Sequence, residues 1–359
     1  MTETRKIENQ KNWNLETLED GRMVLNMGPS HPAMHGIVRV LLTVRGERVT
    51  DSEVEIGYLH RGFEKTCENV TYNQCVPYTD RLNYVSPFIN NVGYALAVEK
   101  LMGIEAPVRC RYIRVIMSEL SRLTDHLTCI GANAMELAAF TVYFYLINAR
   151  EELYRLTDAV AGGRVTPAYT RVGGLTRDLP PDFRSMTAGV FKIVRKNISD
   201  ADKLLTRNRI FYDRLHNTGS ISKEDAVSLS FTGPALRSTG VPLDVRKATP
   251  YLVYDRFDFD IPVGSNGDNY DRYLVRMEEM EQSMRIVEQA LAQLPDGPIN
   301  HPDFNVILPP KEEVSDNIEA LMAHFKLTFE GVKPPKGEVY QAVEGGNGEL
   351  GFYIVSDGT

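Results

Sequence analysis

The stretch IRVIMSELSRLTDHLTCI, residues 113–130, decides the fold. Ile113, Ile116, Leu120, Leu123, Leu127 and Ile130 recur at spacings of three and four, the period of an α-helix with one apolar face. The same period continues on both sides. Upstream, Ile89, Val92 and Leu96 share a helical face, and Gly103 followed by Pro107 ends that helix. Downstream, a helix is predicted from about Met135 to Ala161, and residues 182–216 read as helical again. The clearest stripe is Tyr270, Tyr273, Met277, Met280, Met284, Val287, Leu291 and Leu294, opened by Gly267-Asp268 and closed by Pro295. Its methionines read as core side chains. Long helices with short connections predict a bundle.

The two ends of the chain have a different period. Residues 22–58 alternate: Val38, Val40, Leu42 and Val44 face one way, and Arg39, Thr43 and Arg45 the other. RGER at 45–48 fits a hairpin turn, so a small antiparallel sheet is expected. After Pro295 the chain is loop-rich and then β-like, through GEVYQAVEGGNGELGFYIVSDG. The fold class is α+β. The expected organisation is an N-terminal extension (1–20), a small sheet (21–65), a helical bundle core (66–295) and a mixed C-terminal part (296–359), with further chain expected past Thr359.

Composition narrows the function. The chain has 359 residues, enough for a sizeable core, and its net charge of -8 argues against nucleic acid as a partner. The longest apolar run, AMELAAFTVYFYLI, contains Glu136 and falls short of the roughly 20 residues of a spanning helix, so it reads as a buried helix. Cys67, Cys75, Cys110 and Cys129 show no C-x-x-C spacing, which argues against an iron–sulfur cluster held by this chain alone. No phosphate-binding loop, dinucleotide fingerprint, nucleophile elbow or H-E-x-x-H motif is present.

Three features carry possible chemistry. GPSHPAMHG (28–36) places His31 and His35 in a loop, suited to a metal pair, a proton donor or a hydrogen-bonded stitch; with no third ligand nearby, a zinc site is poor. TDRLNY (79–84) offers a permanent cation, Arg81, and a phenol donor, Tyr84. Glu136 is an acid in an apolar helical stretch, where burial demands a partner or a proton.

Long segments in order resemble one family. NMGPSHPAMHGIVR, IGYLHRGFEKTCEN, YTDRLNYVSPF, IRVIMSELSRLTDHL, TRVGGLTRDLP, FTGPALRSTGVPLDVRKATPY and GELGFYIVSDG are similar to the D (49-kDa) subunit family of NADH:quinone oxidoreductase, respiratory complex I, itself related to nickel–iron hydrogenase large subunits. The resemblance implies a hydrogenase-large-subunit-like fold and a subunit without activity alone. It implies a proton-translocating oxidoreductase in which His35 and Tyr84 hold and protonate the quinone, with Glu136 against the histidine. It further implies an iron–sulfur cluster in a neighbouring B subunit, with Arg81 and Thr166 beside it, NADH oxidised elsewhere, a C subunit alongside and a membrane-embedded H subunit completing the chamber. The location implied is peripheral, on the cytoplasmic side of the bacterial inner membrane.

The alternatives are a related complex fed by ferredoxin or another donor, a hydrogenase and a docking scaffold. Against a hydrogenase, Asn83 and Ser86 stand where those enzymes carry the first pair of metal-binding cysteines. Two further departures matter: the family's usual Asp is Glu136 here, and a histidine often found near the cluster is replaced by Thr166.

Overall fold

The computed structural model describes residues 15–17, 21–31 and 36–358. They form two compact units, split between Thr66 and Cys67.

The first unit is an antiparallel sheet in the order β1 (Leu15–Thr17), β2 (Met23–Met27), β3 (Arg39–Arg45) and β4 (Arg48–Glu55). Leu25 lies opposite Leu42 and Val40 opposite Val54, and the expected turn at 45–48 joins β3 to β4. The alternation does not produce a buried face. Every residue of β2 and residues 39–44 of β3 are half-buried, and Val54 is exposed. Side chains alternate on any strand, but one row is buried only where a second layer covers it. Arg39 ties the sheet by donating to Asn26 Oδ1 at 3.0 Å and Glu55 Oε2 at 2.9 Å. A short helix, α1 (Phe63–Cys67), ends this part of the chain.

The second unit contains α2 (Tyr72–Thr79), α3 (Pro87–Met102), α4 (Val108–Glu136), α5 (Phe140–Ala161), the two-residue strands β5 (Thr170–Arg171) and β6 (Gly174–Leu175), α6 (Phe183–Leu205) and α7 (Arg209–Leu215). It continues through α8 (Lys223–Ser228), α9 (Gly233–Arg237), α10 (Val245–Ala248), α11 (Asn269–Gln293), α12 (Lys311–Asp316) and α13 (Ile318–Phe329), and ends in the hairpin β7 (Gly337–Glu344) and β8 (Glu349–Ser356). The observed architecture is α+β, as the two periods predict.

Helix α4 is the axis of the bundle, packed against α3, α5 and α11, with α6 on the far side of α5. Ile113, Ile116, Leu120, Leu123, Leu127 and Ile130 are all buried in one core with Met280, Met284 and Val287 of α11. Gly103 caps α3 in the left-handed conformation, and Asp268 caps α11 by accepting from Asp271 N.

The predicted helix start at Met135 is corrected. Helix α4 runs on to Glu136 and the chain breaks before α5 begins at Phe140. Ala138 adopts a left-handed φ of 66° there, with its N–H donating to Met135 O at 2.9 Å and Ala139 N–H to Ala134 O at 2.8 Å. That is a Schellman cap with alanine in the place glycine usually takes, so no glycine marks the break in the sequence. The apolar run is correspondingly not one buried helix: Phe140, Phe144 and Tyr145 are exposed.

Candidate functional site

The turn at residues 80–86, between α2 and α3, carries two of the expected site residues. Tyr84 is 57% exposed, and the Arg81 side chain is 45% exposed while donating to Pro77 O. Backbone bonds close the turn, Leu82 N to Thr79 O at 3.2 Å and Ser86 N to Asn83 O at 3.1 Å. Pro87 opens α3, where a missing N–H costs nothing.

Two buried carboxylates hold this turn, one at each end. Asp80 is fully buried and accepts from Asn91 Nδ2 at 2.8 Å and from Ala168 N at 3.0 Å, with Arg81 Nη1 4.0 Å away. Burial raises its pKa against the pull of those hydrogen bonds and of Arg81. At the other end Asp125 Oδ2, on α4, accepts from Asn83 Nδ2 at 2.7 Å and Ser86 Oγ at 2.9 Å. Thr124 adds a bond from its hydroxyl to Val85 O at 2.8 Å.

Asp80 also brings Arg81's turn to the segment carrying Thr166. Ala168, two residues on, donates to it and holds a left-handed φ of 41°. Thr166 is exposed. Glu136, expected to be embedded in an apolar face, is exposed at the last residue of α4. It stands eleven residues beyond Asp125, about 16 Å along the helix axis. His35 lies outside the described residues, and so does any pairing of it with His31. Among the described residues no group of three or more His, Cys, Asp and Glu could hold a metal ion.

Behind the turn is a buried charge cluster that no sequence motif announces. Glu119 accepts from Arg122 Nε at 3.1 Å, Arg246 Nη1 at 3.1 Å and Tyr254 Oη at 2.7 Å. Arg246 also donates to Asp244, and Arg237 to Glu279 Oε1 at 2.7 Å and Glu344 Oε1 at 2.9 Å. Arg122 donates to the carbonyls of Glu344 and Gly345, fastening the end of β7 to α4. Burial pushes the Glu119 carboxyl up, but Arg122 and Arg246 pull it further down, to a net lowering. The same competition, with Arg237 and His126 prevailing, takes Glu279 down to about 2. Burial raises Glu344 against the pull of Arg237. His126 Nε2 lies 2.8 Å from Glu279 Oε2, yet burial, aided by the nearby positive charge of Arg276, outweighs that contact and lowers the imidazole pKa.

Comparison with known proteins identifies the assembly to which this turn and cluster belong. A family described as the respiratory-chain NADH dehydrogenase 49 Kd subunit matches residues 136–359. The chain belongs to that family. It is 56% identical over 338 residues to the D 1 subunit of NADH-quinone oxidoreductase from Sorangium cellulosum, covering 94% of this chain and 84% of that one. It is 57% identical over 336 residues to the D 1 subunit from Anaeromyxobacter dehalogenans, covering 94% and 78%. A relative from Bdellovibrio bacteriovorus, 49% identical over 344 residues and covering 96% and 61%, is named as the C/D subunit of the same enzyme. The chain is thus a complex I subunit, part of an oxidoreductase complex, and no helix among its described residues is long and apolar enough to cross a membrane.

Proposed function

We propose that this chain forms the quinone-reducing chamber of its complex together with the cluster-bearing B subunit. The observation that carries the proposal is the turn 80–86, an exposed phenol and guanidinium on backbone clamped by two buried carboxylates. A rigid turn can present a donor to a ligand without spending its affinity on ordering a loop.

Reducing a quinone to a quinol takes two electrons and two protons. The electrons arrive from the partner's iron–sulfur cluster. Tyr84 donates a proton at one carbonyl oxygen and His35 at the other, and both are refilled from water. Arg81 stands towards the cluster, where a fixed positive charge favours the reduced state. Glu136 is the further acid that the family resemblance assigns to the quinone, and Thr166 the residue it assigns to the cluster side. In this account the chain is peripheral, against the membrane-embedded H subunit and the C subunit, and its quinone chemistry drives proton translocation elsewhere in the complex. The C/D relative supports C as a neighbour.

The test is Tyr84→Phe in membranes carrying the assembled complex. The account expects quinone reduction to fall while electron transfer from NADH to an artificial acceptor that bypasses the chamber stays at the parent rate. Parent-rate quinone reduction would make Tyr84 a mere surface aromatic.

A further inference from the structure

Asn83 and Ser86 flank Tyr84 in the sequence, and both place their polar ends on one oxygen of a residue some forty positions away. Asn83 Nδ2 is 2.7 Å and Ser86 Oγ 2.9 Å from Asp125 Oδ2, and Asn83 Nδ2 also lies 2.7 Å from Ser86 Oγ. Asp125 and Ser86 are buried and Asn83 is half-buried, so the Ser86 bond is closed to water and the Asn83 bond is largely shielded from it. The carboxylate cannot retreat. A Cβ built at Gly346 would collide with Asp125 Oδ2, so the backbone of the β7–β8 turn lies against it. That turn is itself fastened to α4 by Arg122, through Gly345 O at 2.5 Å and Glu344 O at 2.7 Å.

We propose that Asp125 is a positioning residue for quinone reduction: it fixes Asn83 and Ser86, and through them the direction in which Tyr84 is presented. The proposal rests on the assignment of Tyr84 to the quinone. Asp125 touches no substrate. Its carboxylate serves as the acceptor for both ends of the four-residue segment that carries the phenol, and α4, with 20 buried residues along its length, is the rigid frame behind it. A shift of the phenol by about 1 Å is enough to cost up to roughly 100-fold in rate.

The geometry provides its own rescue. The three side chains are mutually in contact and hold one carboxylate and one amide between them. Asn83→Asp puts two carboxylates side by side, which must repel or share a proton. Combining it with Asp125→Asn reverses donor and acceptor and restores one carboxylate, one amide and one hydroxyl. The experiment measures kcat and KM for quinone in the assembled complex for Asn83→Asp, Asp125→Asn and the exchanged pair, beside NADH oxidation with the artificial acceptor. The expected result is a fall in quinone kcat/KM of roughly 10- to 100-fold for Asn83→Asp, an unchanged acceptor rate, and recovery of most of the loss in the exchanged pair. A quinone kcat/KM unchanged in Asn83→Asp overturns the proposal. So does an exchanged pair as impaired as the worse single variant, or an acceptor rate that falls in step with quinone reduction. Tyr84→Phe, measured alongside, separates the two levels: a silent Tyr84→Phe removes the quinone assignment, whereas an impaired Tyr84→Phe beside a silent Asn83→Asp removes only the role of Asp125.

Discussion

Glu119→Gln is the sharpest perturbation of the second unit. Glu119, Arg122 and Arg246 are all nearly inaccessible to solvent, at 0%, 0% and 2% exposure. The glutamate takes two guanidiniums and the Tyr254 hydroxyl. Glutamine keeps the shape and one acceptor oxygen but turns an NH2 group towards two buried cations. Breaking a buried ion pair by removing one partner costs about 3–5 kcal/mol. The remaining charges decide where in that range the variant falls. Arg122, Arg237 and Arg246 face Glu119, Asp244, Glu279 and Glu344. After the change three carboxylates still face three guanidiniums, so the cluster keeps its charge balance and the expected cost lies near about 3 kcal/mol, the low end of the range. At no more than about 2 °C per kcal/mol for a chain of this size, the melting temperature should fall by up to about 6 °C. Far-UV circular dichroism of the purified chain at pH 7 measures it, with Glu281→Gln as control. Glu281 is a half-exposed partner of Arg195, and losing it should cost less than about 1 kcal/mol. Equal melting shifts in the two variants would refute the argument that burial makes the cluster expensive to break.

Three further expectations follow from the same structure. Ala138→Gly should stabilise the chain by about 1 kcal/mol, because a left-handed φ of 66° is costly for alanine and free for glycine, and the denaturant midpoint reports it. Burial lowers the His126 pKa, so the unfolded chain binds a proton that the native chain refuses. Stability should therefore fall as pH drops below about 6.5, by up to roughly 1.4 kcal/mol per pH unit, and His126→Gln should flatten that slope. On the proposed placement of Thr166 beside the partner's cluster, where a histidine would titrate, the cluster's midpoint potential should change by well under about 59 mV per pH unit, the one-proton, one-electron slope; a redox titration at several pH values checks it.

The helices are legible because apolar spacing reports burial directly. Residues 113–130 and the methionine stripe of α11 both enter the core their period predicts. The break at Leu137–Ala139 is hidden because an alanine adopts the cap conformation that glycine would have advertised. The charge cluster is hidden for a different reason. Glu119, Arg122 and His126 interrupt an apolar helix in the sequence as solvent-facing residues would, and only the packing of α9, α10, α11 and β7 around α4 turns them inward. The site is half legible. Arg81 and Tyr84 announce themselves as a cation and a donor before a helix, but Asp80 and Asp125 do not. Their partners lie 11 to 88 residues away, and no local spacing encodes those contacts. Glu136 reads as embedded because its neighbours are apolar, whereas the helix end exposes it.

The most direct test of the central claim is to irradiate the assembled complex with a photoreactive quinone and map the adducts by mass spectrometry. The account predicts adducts on this chain within residues 80–86 and 28–36, suppressed by excess unlabelled quinone and absent from residues 80–86 in Tyr84→Phe. Competable adducts confined to other segments or to other chains of the complex would contradict it.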